Sequence, residues 1–354
     1  MYVVGLGTAT PEQRYTKADC WEALKVSPWF ERLDRRGRMI AELVLTRDNG
    51  IEARRLAVDS LQDVFAIDPD TLHARFLANA PVLATRAARL ALADAGIVAT
   101  DIDGVIVSTC TGYLCPGLTS YVAQSLGLRS DVQALDLVGQ GCGAALPNWR
   151  MADALLASGN CAHVLSVCVE VSSAAMYLDN DPGVLISACL FGDGAGAAVL
   201  AAQPQPQPGK RRILWKTAAS QINPAERDAL RFEQRQGLLR NILTRAVPKL
   251  AAGHAQQVLQ RVLAAEGLQQ SDITGWIWHA GGRDVLAALR ERLGLSEADL
   301  HRSAAMLREY GNLSSAFVYF VLQAALADNT PGGLWWMASF GAGFSSHGAL
   351  LEVE

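Results

Sequence analysis

Cys142 stands in the run Gly139-Gln140-Gly141-Cys142-Gly143-Ala144, flanked by glycines just where a helical pattern begins. A cysteine at a helix start meets unpaired backbone N–H groups and the positive end of the helix dipole, which lower the thiol pKa and favour the thiolate. The glycines permit a tight turn and leave room for substrate beside the sulfur. Acyl transfer through a thioester needs that combination. The remaining cysteines, Cys20, Cys110, Cys115, Cys161, Cys168 and Cys189, have no such setting, and an isolated intracellular cysteine is ordinarily a small core residue.

Two further residues have matching chemistry. His279 closes the apolar run Trp276-Ile277-Trp278 and precedes Ala280-Gly281-Gly282, a strand end where side chains commonly face a cleft. An imidazole there can activate a thiol or donate to a thioester carbonyl. Asn312, in Tyr310-Gly311-Asn312-Leu313-Ser314-Ser315, offers an amide N–H to a developing oxyanion without a titratable proton, and it is equally a good helix cap.

The elements that must position these three repeat. Asp101-Ile102-Asp103-Gly104-Val105-Ile106-Val107-Ser108 is echoed by Asp272-Ile273-Thr274-Gly275-Trp276-Ile277-Trp278-His279. Each copy follows a helical stretch, 85–95 or 256–266, closed by Gly96 or Gly267 in the C-cap position. Downstream, Leu126-Gly127-Leu128 matches Leu293-Gly294-Leu295, and Gly141-Cys142 matches Gly311-Asn312. Phe191-Gly192-Asp193-Gly194 and Phe340-Gly341-Ala342-Gly343 then open the last apolar strands. The ordered recurrence predicts two duplicated mixed α/β halves, 1–202 with the cysteine and 211–354 with the histidine and asparagine, joined by the proline-bearing stretch Gln203 to Lys210. Equivalent loops of two such halves converge, so Cys142 and Asn312 are expected to face one site.

Bulk properties narrow the function class. The chain has 354 residues, half of them hydrophobic, enough for a large core. With 31 basic against 35 acidic residues the net charge is -4, which gives no reason to expect nucleic-acid or anionic-membrane binding. Seven cysteines without a C-x-x-C pair suggest neither a disulfide framework nor a metal site, and a reducing cytoplasm suits them. The start, Met1-Tyr2-Val3-Val4-Gly5, lacks the pattern of an export signal, and no apolar run has membrane-spanning length, so membrane insertion is not expected.

Taken in order, Gly7-Thr8-Ala9-Thr10-Pro11, Gln140-Gly141-Cys142, Leu190-Phe191-Gly192-Asp193-Gly194, Trp278-His279-Ala280-Gly281-Gly282 and Tyr310-Gly311-Asn312-Leu313-Ser314-Ser315 resemble the type III polyketide synthases, the family of plant chalcone synthase. The resemblance implies a thiolase fold in a five-layered αβαβα arrangement and a homodimer. It also implies iterative decarboxylative condensation of malonyl-CoA onto an acyl-CoA starter, with CoA thioesters as substrates and no further cofactor. Cys142 would carry the acyl chain, and His279 and Asn312 would hold the malonyl thioester carbonyl. Phe191 resembles the family's gatekeeping aromatic, Ser314 belongs to the substrate-binding set, and Arg54 and Arg55 lie where the family places cations near the CoA phosphates.

Departures bear on specificity. The family's Gly-Phe-Gly-Pro-Gly is here Ser339-Phe340-Gly341-Ala342-Gly343, and Arg240 falls at the position of the second gatekeeping phenylalanine. Ala174, Ala175 and Cys115 supply small side chains at wall positions, which predicts a tunnel for a medium or long fatty acyl starter and an alkylpyrone or alkylresorcinol product. An initiating-type β-ketoacyl-ACP synthase shares the fold and triad, but its usual Gly-Asn-Thr-Ser and His-Gln-Ala-Asn motifs are not those seen here. A non-catalytic acyl-binding protein of the same fold is the third reading, and the intact triad speaks against it.

Overall fold

The computed structural model describes residues 1–205, 208–328 and 330–354, so the centre of the expected linker, residues 206 and 207, lies outside them. The strands in chain order are β1 (Tyr2–Ala9), β2 (Arg14–Thr16), β3 (Ala53–Arg55), β4 (Gly104–Ser108), β5 (Gln133–Leu137), β6 (His163–Glu170) and β7 (Gly194–Ala201). They continue with β8 (Ile213–Ile222), β9 (Leu230–Arg235), β10 (Leu238–Leu243), β11 (Ile273–Trp278), β12 (Gly333–Gly341) and β13 (Ser345–Val353).

Nine of them run in the order β11-β12-β13-β8-β1-β7-β6-β4-β5, while β9-β10 and β2-β3 form separate ribbons. The nine fall into two runs that meet only where Tyr2 and Val3 pair with Leu214 and Ile213. Within each run the first strand lies beside the last: β1-β7-β6-β4-β5 on one side, β8-β13-β12-β11 on the other. Among the described residues the second run has no counterpart of β5. After Leu295 the chain forms the helix Glu297–Tyr310 instead, started by a capping box between Ser296 and Asp299.

Two helices fill the middle layer. Ala145–Ala157 and Phe317–Ala327 each pack against strands of both runs, and Phe317–Ala327 is apolar on nearly every side, as a helix enclosed between two sheets must be. On the outer faces, Pro69–Ala95 covers β1 and β7, and Val247–Glu266 covers β8 and β13. The result is the expected five-layered thiolase arrangement. Strands sandwiched this way are buried on both faces, which is why β7 reads Gly-Ala-Gly-Ala-Ala-Val-Leu-Ala without alternation.

Gly96 and Gly267 cap the outer helices in the left-handed conformation as expected, with φ of 66° and 67°. Both helices are longer than their periodicity suggests. Pro81 interrupts the first pattern, yet the helix runs through it from Pro69, where Asp68 accepts from the Thr71 N–H at 2.9 Å. Among the described residues no helix is long and apolar enough to cross a membrane.

Candidate active site

Cys142 occupies a single 3-10 turn, Gly141–Gly143, one step before the central helix Ala145–Ala157. The opposite run of strands holds that turn. Ser339 Oγ donates to Gly143 O at 3.0 Å, and Gly341 lies so close that a Cβ there would come within 2.1 Å of Gln140 O. Ser339 therefore occupies the first position of the altered glycine motif as a buried donor, and the glycine that contacts the turn is retained.

Asn312 follows Gly311, whose φ of 70° and missing Cβ let the chain pass Leu190 O. The Asn312 N–H donates to Leu190 O at 2.9 Å and its carbonyl accepts from Gly192 N–H at 3.0 Å, so the Asn312 turn is stitched to both neighbours of Phe191. Its side chain accepts from Ser314 N–H at 2.8 Å and donates to Gly281 O at 3.2 Å. That second bond ties it to the loop leaving His279. An amide carries two N–H bonds, so one remains for a ligand.

His279 leaves the end of β11 with its N–H donating to Ala338 O at 2.9 Å and its ring edge-on to Phe317. The ring is buried, Nδ1 has no partner, and burial holds the imidazole down to about 3. It is neutral across the physiological range.

The expected lowering of the Cys142 thiol is not what the resting site does. Burial pushes it up to about 12, against a lowering contribution from Ser314 and with a further upward push from Glu170. The reason is positional: the cysteine sits ahead of the α-helix proper, in a turn of three residues, and desolvation outweighs the remaining backbone field. Its hydrogen-bond partner is Ser314 rather than His279.

Ser314 leads to a buried group that the motifs did not reveal. Its Oγ lies 3.1 Å from Cys142 Sγ and 3.2 Å from Glu170 Oε1, sharing one proton between them. Ser314 itself has φ of 51°, a left-handed conformation that a non-glycine residue adopts at some cost. Glu170 is fully buried at the end of β6 and accepts from Ser315 Oγ at 2.5 Å, Cys110 N–H at 3.0 Å and Thr111 Oγ1 at 3.0 Å. Burial raises its pKa and these donors oppose the rise. A charged residue closing an apolar strand was the available signal in the sequence.

Two cavities meet at Cys142. The outer one, about 590 Å³, is lined by Cys142, His279, Asn312 and Phe340 and by apolar residues such as Ile186 and Val247. The inner one, about 50 Å³, is lined by Cys110, Thr111, Ala175, Ser314, Arg231 and Asn241 among others. Cys142, Phe191 and Leu230 border both.

Several expected pocket residues stand elsewhere. Cys115 is exposed and borders neither cavity, because its loop runs outward from β4. Ala174 packs into the core beneath the Pro69–Ala95 helix, leaving Ala175 alone of the pair at the inner cavity. Arg54 is buried and donates to Ala188 O at 2.8 Å, Phe191 O at 3.0 Å and Cys20 Sγ at 3.2 Å. Arg55 donates to Glu12 O and pairs with Glu309 at 3.4 Å. The Arg54 guanidinium is buried and spent on the protein, so it is not available to CoA phosphates, while Arg55, 23% exposed, is held at two nitrogens by Glu12 and Glu309 with its Nε unpaired. Arg54→Met strands two buried carbonyls and should lower stability by about 2–4 kcal/mol in urea unfolding. A loss under about 0.5 kcal/mol, the scatter of a surface change, would show the guanidinium to be dispensable there.

Arg240 does not stand in for a gatekeeper either. It points away from the cavity into Asp179 and Glu233, and Asn241, the next residue of β10, faces the inner cavity with its cross-strand partner Phe232. Among the described residues no group of three or more His, Cys, Asp or Glu is placed to hold a metal ion.

The family model described as FAE1/Type III polyketide synthase-like protein matches residues 61–261, and that of the chalcone and stilbene synthase C-terminal domain matches residues 215–350. The chain belongs to the type III polyketide synthase family. It is 32% identical over 360 residues to the 1,3,6,8-tetrahydroxynaphthalene synthase of Streptomyces peucetius subsp. caesius, covering 99% of this chain and 92% of that one. It is 29% identical over 365 residues to the 3,5-dihydroxyphenylacetyl-CoA synthase of Streptomyces toyocaensis, covering 99% and 89%. The crystal structure of PKS-I from the brown alga Ectocarpus siliculosus superposes with a TM-score of 0.89 at 26% identity, covering 99% and 97%. As a type III polyketide synthase the protein is an acyltransferase that forms carbon–carbon bonds by Claisen condensation from malonyl-CoA, in agreement with the motifs.

Proposed function

We propose that this synthase loads an acyl group from CoA onto Cys142 and extends it with malonyl units, the chain growing into the inner cavity. The observation that carries the reading is the position of Cys142 and Phe191 at the junction of two cavities, with His279 and Asn312 in the outer one. In the loading step the Cys142 sulfur attacks the starter carbonyl, the bond to CoA breaks, and the cysteine proton leaves with the CoA thiol through His279. In extension the malonyl carboxylate departs as carbon dioxide while N–H groups of His279 and Asn312 stabilise the enolate oxygen. The enolate carbon then attacks the acyl-Cys142 carbonyl, which frees the cysteine and leaves a β-ketoacyl-CoA two carbons longer. Phe191 separates the two chambers, and Ser314 steadies the sulfur.

The inner lining favours a short, oxygen-rich chain. Ser172, Ser187, Arg231 and Asn241 offer hydrogen-bonding groups to successive carbonyls, and the two relatives compared are named for hydroxylated aromatic products. A fatty acyl starter is the second reading. It keeps the support of Ala175 and of the apolar outer cavity, and loses that of Cys115 and Ala174. Labelled malonyl-CoA supplied alone, with hexanoyl-CoA and with lauroyl-CoA separates the two by mass spectrometry. Turnover with the twelve-carbon starter should be lower by about tenfold, since forcing extra methylenes into a filled chamber costs about 1–3 kcal/mol. Equal or faster use of lauroyl-CoA, shortened by Ala175→Phe, would reinstate the fatty acyl reading.

The same proposal extends to the surroundings of the site. For the CoA phosphates, Arg245 and Arg283 at the exposed rim of the outer cavity replace Arg54 and Arg55. Residues 1–202 and 211–354 are taken as duplicated halves, a division supported by the shared strand order. A homodimer is supported by exposed Tyr113 and Val138, which leave adjacent strands β4 and β5 at one end of the sheet. A cytoplasmic setting suits seven free thiols among the described residues.

A further inference from the structure

We propose that Arg240 is a positioning residue that fixes how far the polyketide grows, an inference that rests on reading the inner cavity as the elongation chamber. The β9–β10 ribbon is a separate flap, joined to neither run of the main sheet. Its cavity face carries Leu230, Phe232 and Asn241, with Phe232 and Asn241 directly opposite one another. The facing wall comes from the helix Pro182–Leu190, which contributes Val184, Ser187 and Ala188. The distance between helix and flap therefore decides how much chain fits.

Arg240 joins these two walls. On the flap it lies across from Glu233 and pairs with it at 2.9 Å. On the helix side it pairs with Asp179 at 2.8 Å and Asp181 at 3.5 Å. Asp181 is itself the cap of the helix, accepting from the Gly183 and Val184 N–H groups at 2.8 and 3.2 Å, and Asp179 accepts from the Asp181 N–H at 2.9 Å. One guanidinium, only 11% exposed, thus ties the start of one wall to the middle of the other. Glu233 also holds Arg231 at 3.1 Å, and Arg231 borders the cavity, so the same network orients a side chain that meets the growing chain. The planar fork of arginine serves three carboxylates in three directions, a geometry a lysine reproduces only in part.

Without Arg240, Asp179 and Asp181 lose the charge between them and the flap, and the flap is free to move outward. The chemistry at Cys142 lies on other elements and is untouched. The experiment compares wild type, Arg240→Met, Arg240→Lys and Asp179→Asn on labelled malonyl-CoA alone and with hexanoyl-CoA. It reads Cys142 acylation by intact mass, malonyl decarboxylation, the product-length distribution and the melting temperature. Acylation and decarboxylation should stay within about twofold of wild type while the ratio of longer or derailed products to the main product rises at least about fivefold in Arg240→Met, since ångström-scale misplacement of a wall is enough for changes of that order. Arg240→Lys and Asp179→Asn should fall between, and they keep the test open if Arg240→Met does not fold. An unchanged product distribution in the variants that fold, or a parallel fall of acylation, decarboxylation and every product, would overturn the proposal. Absence of any malonyl-derived product from the wild type would instead sink the reading of the chamber, and this inference with it.

Discussion

Cys142→Ala should abolish acyl-enzyme formation and lower condensation by on the order of 10⁴-fold or more, the scale on which removal of an attacking nucleophile is felt. The argument is geometric first. Among the described residues, Cys142 is the one with a reactive side chain that borders both cavities, so an acyl group bound there is within reach of an extender on one side and has a chamber for growth on the other. Cys110 is no substitute. Its thiol contacts Glu170 and Ser314 at 3.4 Å and is pushed well above the usual range by burial and by the Glu170 charge, so it stays protonated. Folding should survive, because alanine for cysteine removes one atom from a half-open turn whose backbone is held by Ser339 and Gly341, with a stability change within about 1 kcal/mol. Intact mass after incubation with acyl-CoA reads the first effect, product formation the second and urea unfolding the third. A variant that still gains the acyl mass would transfer the carrier role elsewhere.

His279→Gln and Asn312→Asp should each reduce malonyl decarboxylation by on the order of 100-fold, the size of losing one oxyanion donor. His279 has a second consequence, on the thiol. Alone, Cys142 is held up to about 12 and His279 down to about 3, so neither is charged by itself near neutrality. Moving the proton from sulfur to imidazole creates no net charge and puts opposite charges on two residues that line the same cavity, where burial strengthens their attraction. In His279→Gln that route is gone, and the thiolate fraction follows a raised pKa: negligible at pH 7 and rising about tenfold with each pH unit towards 12. Alkylation by iodoacetamide at pH 7 should therefore be at least about tenfold faster in wild type than in His279→Gln, the gap closing as the pH approaches 10. Equal rates at pH 7 would remove His279 from activation of the thiol, and unchanged decarboxylation in both variants would remove the pair from extension.

The part of the site that sequence made legible is the part built on local backbone rules. Gly141-Cys142-Gly143, Trp278-His279-Ala280 and Gly311-Asn312 are a turn before a helix, a strand end and a left-handed turn, and each residue type declares its conformation. The recurring sequence pattern points to their convergence, and Cys142, His279 and Asn312 do line one cavity. Composition and periodicity likewise determined the mixed α/β class and the left-handed caps at Gly96 and Gly267.

What only the tertiary structure decided depends on which neighbour a side chain meets. Arg54 and Arg55 are adjacent cations in sequence, and nothing local tells that carbonyls of a distant helix and Glu309 claim them. Ala174 and Ala175 differ by one position and face core and cavity respectively. Arg240 and Asn241 divide the same way, because successive residues of a strand point to opposite faces and register decides which face is the cavity. The thiol of Cys142 is governed by burial and by Glu170, a carboxylate distant in sequence that reaches it through Ser314. Desolvation and long-range pairing are sums over the surroundings, and a motif of a few residues contains none of those terms.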